Sequence, residues 1–144
     1  MKRAVAMHWN THAEVIERAL YLHLAIDKLL SLSKYDKCGK KGLQQYKLEP
    51  LEWRILTQLE HILGAFLAAT VCVSKSKVPL LHEVIPLIDS CTGILEDAIA
   101  DLTNHQAVHV AAARGLNVLN KYYSKTDDSI MYHIAMIMHP RYKL

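Results

Sequence analysis

Apolar residues recur along most of this 144-residue chain at alternating spacings of four and three. Ile55, Leu59, Ile62, Phe66, Ala69 and Val73 carry the pattern most plainly, with Leu56 and Leu63 widening the stripe. That period lines one face of an α-helix and cannot line one face of a strand. Val15, Ala19, Leu22, Ile26 and Leu29 repeat it, as do Val84, Ile88, Cys91, Leu95 and Ala98, and again Val108, Ala111, Gly115, Val118 and Tyr122. Period-two alternation and hairpin dipeptides are missing, and five glycines and four prolines leave long uninterrupted runs. The expected fold is all-α, an irregular antiparallel bundle of four to five helices forming a single helical domain over 1–144.

The helix limits follow from local signals. Thr11-x-x-Glu14 reads as a capping box opening a first helix over about 12–33. Glu14 and Arg18 add an i,i+4 pair. Residues 33–49 form a basic loop with Lys34, Lys37, Lys40, Lys41 and Lys47. It is either a solvated linker or a phosphate-contacting loop. Pro50 suits the first turn of a second helix over about 50–74, in which Gly64 permits close packing. A third helix spans about 80–102, and Pro86 means that it either starts late or kinks. A fourth covers about 105–123, with Ala111 to Ala113 suited to close helix contact. Thr126 to Ser129 offer caps for a short segment over about 129–138, with Asp127 and Asp128 favouring its N-terminus. That segment, Ile130 to Met138, could instead be a strand.

A composition of 51% hydrophobic and 22% charged residues is that of a globular chain. The net charge of +3 permits nucleic-acid contact without demanding it. Cys38, Cys72 and Cys91 are odd in number and widely spaced, which suits reduced thiols and no Cys-x-x-Cys zinc site. Met1 to Met7 is too short for a signal-peptide core. The apolar run Ile62 to Val73 is too short to span a bilayer. No membrane is therefore expected as a partner, and a cytoplasmic or nuclear location is.

No catalytic constellation is legible. His105 and His109 have helical i,i+4 spacing, but Gln106 stands where a zinc-protease helix needs glutamate, and no third ligand is adjacent. His8 and His12 share the spacing across a helix start. Asp127 and Asp128 read as capping residues. A Gly-x-Ser-x-Gly elbow and a phosphate-binding loop are both missing. No metal or other cofactor is expected. Trp9, with Arg3 and His8 nearby, either packs over the helix start or offers a stacking platform for a base. Arg141 and Lys143 flank Tyr142 in a second aromatic–basic group.

These motifs fall in a recognisable order. His8-Trp9-Asn10-Thr11, Glu17-Arg18-Ala19-Leu20 and Leu24-Ala25-Ile26-Asp27 come first. Leu48-Glu49-Pro50-Leu51-Glu52-Trp53 and Val84-Ile85-Pro86-Leu87 follow. Lys121-Tyr122-Tyr123-Ser124-Lys125-Thr126-Asp127-Asp128-Ser129 and Met138-His139-Pro140-Arg141-Tyr142-Lys143-Leu144 close the series. The series resembles hAT-superfamily transposases, most specifically in the last box. The resemblance implies an RNase H-like catalytic fold interrupted by a helical insertion, with a BED-type zinc finger and a dimerisation region elsewhere. This chain would hold most of the insertion and the start of the return to the catalytic fold. It looks cut in mid-domain. The three metal-holding carboxylates of the family would lie outside it, so it is expected not to be an enzyme by itself. The resemblance makes Trp9 a base-stacking residue and DNA a partner, with His8, Arg3, Arg141 and Lys143 as the accompanying contacts. His8 replaces the family's Arg and His139 its Asp, as in a decayed element. The alternative function is a helical protein-interaction module without a nucleic-acid role.

Overall fold

The computed structural model describes residues 9–32, 43–75 and 77–142. Among these residues every regular element is helical and none is a strand. The expected all-α class is therefore observed, with six α-helices in place of four to five. The chain groups into two compact units, one ending at Glu60 and one beginning at His61.

In the first unit, α1 (Trp9–Tyr21) and α2 (His23–Leu30) replace the single helix expected over 12–33. The division falls at Leu22, whose φ of −97° and ψ of 8° lie in the sparsely populated bridge region. Backbone bonds nonetheless run through it, Leu22 N to Arg18 O at 3.1 Å and Ile26 N to Leu22 O at 2.9 Å. Because α1 begins at Trp9, Thr11 lies inside its first turn and does not cap it. Leu29, expected in the buried stripe, is exposed, whereas Leu30 and Ala13 are buried. Of the basic loop, Lys34, Lys37, Lys40 and Lys41 lie outside the described residues. Leu43–Tyr46 forms a 3-10 turn, and Lys47 is exposed.

Helix α3 (Pro50–Val73) starts at Pro50 as expected. Its N-terminus is closed by Glu52, which accepts the Glu49 amide at 2.8 Å. This is the carboxylate half of a capping box, with Pro50 at the position where no amide proton is needed. One turn in, Trp53 is buried with its ring against His23 at 4.2 Å between centroids. His23 Nε2 in turn meets Asp27 Oδ2 at 3.1 Å. The Trp53 indole N–H and the second Asp27 oxygen are buried without a hydrogen-bond partner among the described residues. By length and composition α3 as a whole could cross a membrane, unlike the shorter run Ile62 to Val73. It is a weakly apolar helix interrupted by Glu52, Arg54 and Glu60, and it makes no clear span.

The second unit is built on an αα-hairpin. A 3-10 turn (Leu81–Glu83) leads into α4 (Val84–Ala100), so the helix starts late and Pro86 sits in its first turn without a kink. Helix α5 (Gln106–Asp127) packs along α4. Leu95 at 2% exposure and Val108 at 0% form the centre, with Ile85, Cys91, Ala98 and Ala112 around them. The buried face of α5 is turned by one residue from the expected stripe. Ala112 is buried and Leu116, Leu119 and Tyr123 are half-buried, while Ala111, Val118 and Tyr122 are exposed. A Cβ on Gly115 would meet Leu95 at an ordinary 3.6 Å, and one on Gly64 would meet nothing within 4 Å. Close packing therefore requires glycine at neither position. Helix α5 continues to Asp127, so Thr126 and Asp127 end it instead of capping the next. Thr126 is buried and its hydroxyl donates to the Tyr123 carbonyl at 2.7 Å. Helix α6 (Ile130–Met138) settles the last segment as helix and not strand. It packs on α5 and on the Leu81–Glu83 turn.

Candidate nucleic-acid interface

The residues expected to touch DNA are placed unevenly. Arg3, His8 and Lys143 lie outside the described residues. Trp9 is the first residue of α1, where it begins the helix instead of preceding a cap. Its side chain is likewise outside the description. Arg141 is exposed in a 3-10 turn, Pro140–Tyr142, directly after α6. Trp9 and Arg141 belong to different units.

The surroundings of Arg141 give the histidine at 139 a structural role. His139 ends α6 in an extended conformation, φ −78° and ψ 127°. Its Nδ1 accepts the Arg141 amide at 3.3 Å, and its carbonyl accepts the Tyr142 amide at 3.1 Å. A side-chain acceptor reaching the amide two residues ahead is the arrangement by which Asp or Asn nucleates a turn. An imidazole nitrogen does the same here.

His105 makes the same bond at the start of α5. Its Nδ1 accepts the Ala107 amide at 3.1 Å, which makes it the N-cap. His109 Nε2 lies 3.1 Å from the Asn104 carbonyl. The i,i+4 histidine pair thus has one nitrogen of each ring engaged by the backbone of its own corner. Among the described residues no group of three or more His, Cys, Asp or Glu side chains could hold a metal ion.

The same α4–α5 corner carries the clearest electrostatic signature. Asp101 Oδ1 accepts the Thr103 hydroxyl at 2.7 Å and its amide at 2.9 Å. Those bonds hold the Asp101 carboxyl below its ordinary range, with a small contribution from His109. Asn104 Nδ2 donates to the Ala98 carbonyl at 2.9 Å, satisfying the last turn of α4. Farther along, the charge of Asp89 on α4 raises the Tyr123 phenol on α5. Burial alone raises the Cys91 thiol. Each of these groups braces the helix pair, and none converges with another on an open site.

Sequence reading missed the most continuous exposed feature. Ile130, Met131, Ile134, Ile137 and Met138 of α6 lie exposed on one side of the helix. Their i, i+4, i+7 spacing was legible, but which side faced the core was not. No protein-family model, no curated protein and no solved structure matches the chain.

Proposed function

We propose that the chain is an hAT-transposase-like helical segment, without strand-cleaving activity of its own, that contacts DNA in the nucleus through Trp9 and neighbouring cations. The observation that carries this reading is the ordered series of motifs from His8-Trp9-Asn10-Thr11 to Pro140-Arg141-Tyr142-Lys143, borne on a chain whose regular elements are all helical among the described residues. Trp9 is the stacking residue; Arg3, His8, Arg141 and Lys143 supply phosphate contacts. Catalytic carboxylates that would hold two metal ions are not part of the motif series. The test is fluorescence anisotropy with hairpin-flanked DNA over a salt series. Binding should weaken steeply as salt rises. Trp9→Ala should weaken it about fivefold to a hundredfold, the equivalent of one lost base stack. Binding that ignores Trp9, or no binding at low salt, would sink the proposal.

A second reading is favoured by the exposed apolar side of α6. On that reading the chain is a helical protein-interaction module, with Ile130, Ile134 and Ile137 as the anchors laid into a partner's groove. Ile137→Glu would then abolish association with a protein partner, and the chain would show no binding to DNA even at low salt.

A further inference from the structure

The exposed strip on α6 has a symmetry of its own. Its five residues, Ile130, Met131, Ile134, Ile137 and Met138, are between 42% and 70% exposed. They stand at intervals of one, three, three and one along the chain, which read the same from either end with Ile134 at the middle. At 100° per residue the five positions fall in an arc of about 120° centred on Ile134. Tyr132 and Met136, both half-buried, lie on the opposite side. Reversing the helix end for end therefore lays the strip on itself. Ile130 meets Met138, Met131 meets Ile137, and Ile134 meets its own copy. A surface that is its own complement is what a two-fold interface requires.

Charge selects the direction of such a pair. No Asp, Glu, Lys or Arg lies within α6, and its two titratable side chains, Tyr132 and His133, stand off the strip. The charges sit at its ends. Asp127 and Asp128 precede α6 and Arg141 follows it, and all three are exposed. Asp127 and Arg141 are each seven residues from Ile134. An antiparallel pair centred there places each acidic end beside the basic end of the other copy, and it also opposes the two helix dipoles. A parallel pair would set Asp127 and Asp128 against their own copies. The uncharged strip itself offers nothing to a phosphate or an acidic peptide.

We propose that two copies of this chain associate through α6, antiparallel about a two-fold axis at Ile134, with Asp127 and Asp128 of each copy facing Arg141 of the other. This rests on the reading of α6 as a docking surface, with the chain itself as the occupant. A nine-residue helix is about 13 Å long, so the contact is small and belongs with weak, transient interfaces. Half-association is expected between about 1 µM and about 1 mM.

Sedimentation equilibrium of the full chain over that range, at low salt, tests the pair. The average mass should rise from one chain toward two and stop there, because a two-fold contact closes on itself. Ile137→Glu, at a side chain 69% exposed, should leave the chain single throughout, since two carboxylates enter the contact. Arg141→Asp should weaken pairing about twofold to thirtyfold, both ends of the pair being lost at once. Adding Asp127→Arg to that variant should recover most of the loss. Unchanged pairing in Arg141→Asp overturns the antiparallel arrangement, and this arm decides alone if Ile137→Glu does not fold. A chain that stays single up to about 1 mM overturns the pair and leaves α6 to a partner of another kind. Association that ignores Ile137→Glu overturns the pair and the docking reading together. Growth past two copies overturns the two-fold contact.

Discussion

The two units are made from similar helices and are held together differently. In the second, α4 and α5 share a short connection and interlock along their lengths, so Leu95 and Val108 lose nearly all contact with water. In the first, α1 and α2 contribute mostly half-buried residues, and the largest buried side chain is Trp53, packed on the polar ring of His23. Its indole N–H has no partner among the described residues, a cost that the hairpin centre avoids by being wholly apolar. Amphipathic stripes of equal quality therefore do not give equal cores. A sequence-local partner of matching length lets a stripe interdigitate, while a short helix offers too few turns to do so.

A pair of truncations would break this comparison if it is wrong. Trp53→Ala should cost about 3–5 kcal/mol and Leu95→Ala about 2–5 kcal/mol, each measured by amide exchange. Trp53→Ala should open the amides of α1 and α2 and spare those of α4 and α5; Leu95→Ala should do the reverse. Loss of protection across both units in either variant would show one cooperative core. Gly64→Ala sharpens the picture of a lightly packed α3, because a Cβ there meets nothing. It should stabilise the helix by up to about 1 kcal/mol in a thermal melt, and a destabilised variant would reveal a neighbour at that face. The smallest effect concerns the α4–α5 corner. The folded carboxyl of Asp101 sits below its unfolded value, so its contribution is present above about pH 4 and disappears as pH falls through the folded value. In Asp101→Asn that acid-dependent part of the hairpin's stability should vanish, as followed by circular dichroism.

Helix identity was legible because its cause is local. The limits of α3 at Pro50 and of α6 at Met138 came from a proline and from the end of an apolar run, within a residue of the expected bounds. What failed depended on contacts. The stripe on α5 was read through Ala111, Val118 and Tyr122, but small residues score the same on either side of a helix. Burial of Ala112 and Thr126 was decided by where α4 lay. The distortion at Leu22 has no signal in its neighbours, and the structure gives no physical account of it. Glu52 as a cap was visible three residues after Glu49, yet glutamate at the first position hid the motif, since its own side chain is a poor cap. Of the interface residues, only the place of Arg141 was partly legible, since Pro140 announced a turn. The turn-forming use of His139 and His105 was invisible, because imidazoles are ordinarily read as ligands or bases.

The uncovered side of α6 has a practical consequence. Five neighbouring aliphatic and thioether side chains meet solvent without a single charge among them. Salting-out anions strengthen the cohesion of such strips. In concentrated ammonium sulfate, molecules should clump through α6 well before the hairpin melts, and a mild detergent should disperse them.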